Sequence, residues 1–139
     1  MADYLLDSNC LINLLEGGFP SELSHDLEKK LAQEDNCFFL TPLIRYEVLR
    51  GINWKNNNKL KDLADSLEKF TSLDITREIA DLARDLYRFD RFESERDNVD
   101  KNLDKRKFDM FHFATAVVHN LQIFSLDEDI NAIETLHKR

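Results

Sequence analysis

The sequence predicts an α/β fold: a central, mostly parallel sheet covered by helices. Short apolar runs of strand length alternate along the chain with segments of helical periodicity, the signature of parallel strands linked through helices. Two of those runs, Tyr4-Leu5-Leu6 and Ile123-Phe124-Ser125-Leu126, end in an acid, Asp7 and Asp127. Both acids would stand at carboxyl ends of strands, where open α/β sheets place their ligands.

Taken in order, strand-like segments are expected at about 3–6, 37–41, 71–75 and 122–126, alternating with helical patterns. Between the first two, Leu23, Leu27 and Leu31 follow Pro20 and Ser21 at helical spacing. After the second, Thr41-Pro42 supplies a helix cap with proline at the first helical position, which sets Glu47 about a turn into that helix. Leu60, Leu63, Ala64 and Leu67 line one face of the next helix; Ile79, Leu82, Ala83, Leu86 and Tyr87 line another. Met110, Phe113, Ala114 and Val117 line a last one, which Asn120 can close as a left-handed cap residue. The stretch 88–107 differs. Phe89, Phe92, Val99 and Leu103 are its only large apolar residues amid dense charge of both signs, so it reads as a solvated helical excursion or hairpin projecting from the core. Partial disorder near 97–102 is the alternative.

At 139 residues, with three Gly and two Pro, the chain is the size of one domain with little room for linkers. No apolar stretch approaches a membrane span, and the start lacks a signal peptide's basic and apolar regions, so a soluble, cytoplasmic protein is expected. Cys10 and Cys37 fall in apolar elements without ligand-like spacing and read as buried free thiols. A net charge of −8 argues against holding nucleic acid by bulk electrostatics, so such a substrate needs local basic patches or metal ions.

With 27 acids in 139 residues, composition alone accounts for one strand-end acid. Two of them, plus Glu47 in a capped helix and Asp109 opening a helix, form a pattern. An acid at a helix start is ordinarily a cap or dipole partner, but Asp109 lies in the helix that leads into the strand ending at Asp127. Carboxylates gathered on one crevice repel unless a divalent cation neutralises them, so the cluster points to hard-metal chemistry. His112, one helical turn beyond Asp109, reads as a hydrogen-bonded helix histidine rather than a general base. His25, His119 and His137 read as surface residues. No Ser/His/Asp or Cys/His triad, phosphate loop or zinc spacing emerges. The lone Trp54, with Tyr46 and the phenylalanines, reads as core or dimer surface rather than a base-stacking platform. Two basic groups flank the acids, where a phosphate backbone would lie: Arg45, Arg50, Lys55, Lys59 and Lys61, and Lys101, Lys105, Arg106 and Lys107.

These segments together resemble the PIN-domain nucleases. Tyr4-Leu5-Leu6-Asp7-Ser8-Asn9-Cys10-Leu11-Ile12 is similar to their N-terminal signature, and 41–51, with Glu47 as its acid, to their second motif. Asp109-Met110-Phe111-His112-Phe113-Ala114-Thr115-Ala116 resembles the third motif, and Phe124-Ser125-Leu126-Asp127-Glu128-Asp129-Ile130 the fourth. Order and spacing agree along nearly the whole chain, and the compact length is similar to VapC-type toxins of bacterial toxin–antitoxin pairs. Ser8 and Ser125 stand where that family often has threonine, Phe113 replaces a small residue and Ile130 an aromatic one. The resemblance implies a PIN-like three-layer α/β/α domain in which Asp7, Glu47, Asp109 and Asp127 are catalytic and, with Asp129, hold Mg2+ or Mn2+, one ion or two. Asn9 and Ser125 support them, and Arg45, Arg50, Lys105, Arg106 and Lys107 are candidate RNA contacts. It further implies an endoribonuclease that forms a homodimer and is silenced by an antitoxin. Alternatives are a catalytically silent protein- or RNA-binding module and an RNA-processing nuclease without antitoxin.

Overall fold

The computed structural model describes residues 2–16, 29, 32, 33, 35–99, 103–124, 133–135, 137 and 138. The helix expected over Leu23, Leu27 and Leu31 lies outside these residues. The chain divides into two compact units, residues 1–74 with 122–126 and residues 75–121 with 127–139.

The first unit is built on four parallel strands: β1 (Asp3–Leu6), β2 (Cys37–Leu40), β3 (Thr71–Ser72) and β4 (Gln122–Phe124), in the spatial order β3-β2-β1-β4. β1 is central, and Tyr4, Leu5 and Leu6 are all buried. This is why the strand reads as an uninterrupted apolar run: a strand covered on both faces has no polar side to alternate with. Phe38, Tyr4 and Phe124 form an aromatic row across three strands, with ring centroids 5.4 Å and 4.9 Å apart. Among the described residues this unit has three helices: α1 (Ser8–Glu16), α2 (Pro42–Leu49) and α3 (Asn57–Leu67). The expected cap of α2 is present. The Ile44 N–H donates to Thr41 Oγ1 at 3.2 Å and Pro42 follows at the first helical position, so Thr41 ends β2's run as a cap and not as its last strand residue.

The second unit contains two long helices packed along one another, α4 (Arg77–Arg96) and α5 (Leu103–His119). Thr76 caps α4 through the Ile79 N–H at 3.3 Å. Both helices end on an asparagine at positive φ, Asn98 at 55° and Asn120 at 54°. At the first, the Val99 N–H reaches Ser94 O (2.8 Å) and the Asn98 N–H reaches Glu95 O (3.3 Å). At the second, Leu121 and Asn120 repeat the pattern onto Ala116 and Val117 at 2.8 and 3.3 Å. These are Schellman closures, with asparagine taking the left-handed position that glycine commonly fills.

The stretch 88–107 is helical on both sides where it is described, as a helical hairpin would be, but one face is buried rather than solvated. Residues up to Arg96 continue α4 and those from Leu103 open α5, and Asp90, Glu93 and Ser94 are buried while Phe89 and Phe92 are exposed. The inward face runs Ile79, Ala83, Leu86, Asp90, Ser94, a continuous helical stripe whose last members are polar. That stripe is the signal the sequence carries for the burial, and dense charge conceals it because charge ordinarily means solvation. Among the described residues no helix is long and apolar enough to cross a membrane.

The cysteines correct a second expectation. Cys10 is buried, but Cys37, at the start of β2, is exposed. The Cys10 thiol is pushed up to about 11, first by burial and then by the Asp7 charge. Labelling of the folded protein with a thiol reagent at mildly alkaline pH is therefore expected to give one fast site, lost in Cys37→Ser, and a second only on unfolding. Because Cys10 holds its proton more tightly folded than unfolded, it also lowers stability as pH climbs from 9.0 towards about 11. Two equally fast thiols would contradict this burial.

Candidate functional site

The strand order decides where the first unit can hold a ligand. From β1 the chain steps to β2 and β3 on one side, then returns to place β4 on the other. The order reverses between β1 and β4, and the crevice beyond their carboxyl ends is the topological switch point. Asp7 stands there. Its N–H donates to Phe124 O at 3.0 Å, the last described residue of β4, and its carbonyl accepts the Leu11 N–H at 3.0 Å, so Asp7 joins the end of β1 to the first turn of α1. The Ser8 N–H donates to Asp7 Oδ1 at 2.7 Å, and Ser8 Oγ lies 3.4 Å from the same oxygen. Asp7 is 1% exposed. A buried charge needs such compensation, and the amino end of a helix adds favourable potential. Asn9 is exposed on the next turn and Ser8 is buried.

Glu47 lies on α2, half-buried beside Val48, which with Ile44 forms the helix's buried stripe. On its other faces Arg45 Nη1 bonds Glu68 Oε1 at 3.1 Å, a pair exposed enough to add little stability. The Arg50 guanidinium lies 5.6 Å from the Tyr46 ring centroid. Trp54 is 93% exposed, which removes the core alternative from its reading as core or dimer surface.

In the second unit α5 presents Asp109 and His112 one turn apart, 7% and 1% exposed, with ligand atoms within 4.8 Å of one another. His112 thus stands as a donor beside the acid as well as a packed helix histidine. The i, i+3 spacing from Asp109 is the signal for it. Thr115 sends its Oγ1 to Phe111 O at 2.7 Å, satisfying its hydroxyl within the helix. Arg106, three residues before Asp109, donates to the fully buried Asp90 at 3.3 Å. Lys107 sits over the Phe108 ring at 5.3 Å. Ser125, Asp127 and Asp129, and the side chain of Lys105, lie outside the described residues; so does Lys101. His119 and His137 are exposed, as expected, and His137 meets Phe113 edge-on at 5.2 Å.

Asp7 and Asp109 each offer a hard carboxylate oxygen with little exposure to water, the kind of donor that suits a hard divalent cation rather than the thiolate-rich sites of zinc. Neither cysteine stands at a carboxylate's position in the motifs.

No curated protein matches the sequence. VapBC2 from Rickettsia felis, solved bound to a DNA fragment from its promoter, matches with TM-score 0.66 at 16% identity over 94% of this chain and 92% of that one. FitAcB from Neisseria gonorrhoeae matches with TM-score 0.66 at 21% identity over 94% and 93%. A toxin–antitoxin complex from Klebsiella pneumoniae matches with TM-score 0.59 at 22% identity over 89% and 86%. At these identities the likeness is one of fold, and the parallel four-stranded sheet flanked by helices is the PIN-like α/β/α architecture expected from the sequence. The PIN domain model matches residues 4–136; spanning nearly the whole chain, that match shows that this protein belongs to the PIN domain family.

Proposed function

We propose that this chain is a metal-dependent endoribonuclease acting in the cytoplasm as the toxin of a toxin–antitoxin pair. The observation that carries the reading is Asp7: a carboxylate withdrawn from water at the switch point of the sheet, on the residue where the family's first motif has its acid. In this reading Asp7, Glu47, Asp109 and Asp127 are the catalytic ligands, with Asp129 beside them and Asn9 and Ser125 in support. When bound, Mg2+ or Mn2+ supplies a water of lowered pKa and neutralises charge developing on the phosphodiester. The chain's own part is to fix donors. The Ser8 N–H holds one Asp7 oxygen, and the first turn of α1 sets its direction. The helix carrying Asp109 brings His112 with it as a hydrogen-bonding or ligating neighbour. Arg45, Arg50, Lys105, Arg106 and Lys107 are the proposed phosphate contacts, with Arg106 shared between that role and its bond to Asp90.

The partner reading follows from the neighbours, which include complexes of toxins with antitoxins. A surplus of negative charge suits an antitoxin segment with a basic side chain, laid against the acids of a homodimeric toxin.

Purified protein is expected to cut single-stranded RNA with Mn2+ or Mg2+ and not in EDTA, and the co-expressed product of an adjacent small reading frame is expected to co-purify and stop it. Absence of cleavage with either ion, from protein whose circular dichroism shows it folded, would leave a silent PIN-like binding module. Cleavage without a co-purifying partner would leave a nuclease of another pathway.

A further inference from the structure

Between Glu47 and Asp62 the chain carries no acid, although acids make up 27 of its 139 residues. The same stretch holds Arg50, Lys55, Lys59 and Lys61, all exposed. At its centre Trp54 is 93% exposed. Tryptophan is highly buried on average, and one so exposed contributes nothing to a core.

The backbone under Trp54 is closed on itself. The Asn56 N–H donates to Asn53 O at 2.9 Å, forming a turn with Trp54 and Lys55 at its centre. Asn53 Oδ1 accepts the Lys55 N–H at 2.9 Å, and Asn56 Oδ1 accepts the Lys59 N–H at 3.1 Å, capping α3. The Ile52 N–H donates to Leu49 O at 3.2 Å, tying the turn to the end of α2. The indole is therefore presented on a pre-organised turn, which lowers the ordering cost of any ligand that covers it. Asn57 and Asn58, exposed in the first turn of α3, add amides able to donate to and accept from base edges. Tyr46, 54% exposed, offers a second ring on α2, with Arg50 over it.

We propose that this surface, the turn 53–56 with the flanking ends of α2 and α3, binds single-stranded RNA by stacking an unpaired base on Trp54, with Lys55, Lys59 and Lys61 along the backbone. Charge chooses among occupants. A second copy placing the same patch opposite itself would bring like charges together, and a basic antitoxin segment would be repelled. A polyanion is complementary. Stacking on a protruding ring requires a base free of its own helix, which selects a single strand over a duplex. The surface concerns the substrate of the nuclease proposed above and rests on that reading, but its test needs no cleavage.

Trp54 is the sole tryptophan, so its emission reports directly on stacking. The full-length protein in EDTA is titrated with a short single-stranded RNA, following both tryptophan emission and the anisotropy of a fluorescein label on the RNA. Emission should be quenched with the same midpoint as the anisotropy rise. Trp54→Ala should weaken binding about tenfold, within the range for loss of one stacked base, and Trp54→Phe should retain most of the affinity. Lys55→Gln and Lys61→Gln should each lower the slope of log affinity against log salt by about 0.7. Emission unmoved at saturating RNA, or unchanged affinity in Trp54→Ala, overturns the surface. So does a Trp54→Ala variant that binds RNA as the parent does but no longer associates with a co-expressed acidic protein, since the turn would then be a protein contact. The two readings separate cleanly. Quenched binding without cleavage in Mn2+ supports the surface and removes the nuclease, whereas cleavage undiminished in Trp54→Ala with unchanged RNA affinity removes the surface and supports the nuclease.

Discussion

Asp7→Asn and Asp109→Asn are each expected to slow RNA cleavage by on the order of a hundredfold to a thousandfold, the range for removing one pre-organised electrostatic element from an active site. The change in volume is small, and the amide oxygen introduced by Asp7→Asn can still accept the Ser8 N–H that reaches Asp7 Oδ1 at 2.7 Å. Fold is therefore retained while a negative ligand is lost. The same variants separate a metal role from a structural one. A divalent ion at about a hundredfold above its dissociation constant stabilises the parent by roughly 2.7 kcal/mol through mass action. This corresponds to a rise in melting temperature on the order of 5 to 10 °C. The gain should shrink in both variants. Monovalent salt of equal ionic strength is the control, because screening alone relieves carboxylate repulsion. A parent that responds to Mn2+ no more than to that salt, or variants that turn over like the parent, would remove these acids from a metal centre.

The largest effect on stability is expected at Arg106, not at any acid of the site. Asp90 is fully buried and takes its ion pair from Arg106 on the neighbouring helix at 3.3 Å, with the arginine side chain itself 21% exposed. Removing one partner of a buried pair leaves a charge that folding has already taken out of water, which costs about 3 kcal/mol or more. Arg106→Met should therefore lower the melting temperature by on the order of 10 °C. Asp90→Leu combined with Arg106→Met should recover much of it, because a buried pair replaced by apolar side chains of similar volume is often neutral. If Arg106→Met melts with the parent and only RNA affinity falls, the residue is a phosphate contact and its bond to Asp90 carries no stability. Arg45 offers the contrast: its pair with Glu68 is exposed on both sides, so Arg45→Met should change stability by less than about 1 kcal/mol.

How much of this is legible in the chain follows from the range of the interactions involved. The strands, the Thr41-Pro42 cap, the left-handed Asn120 and the placement of Asp7 after a buried strand are readable, because each depends on residues within a turn or two: apolar periodicity, an oxygen facing an unsatisfied N–H, a backbone angle. The motif order carries the family. Tertiary structure alone decides the rest. Only the pairing of β4 against the free side of β1 makes the end of β1 a switch point, and that pairing joins residues more than a hundred positions apart. Whether a side chain is covered is likewise a property of what folds over it. Cys37 has the sequence surroundings of a core thiol and is exposed, Trp54 has the chemistry of a core residue and stands in solvent, and Asp90 has the surroundings of a solvated acid and is buried. In each case local composition gives the polarity of the residue, while burial is set by the neighbouring element, which for Asp90 is the helix that supplies Arg106.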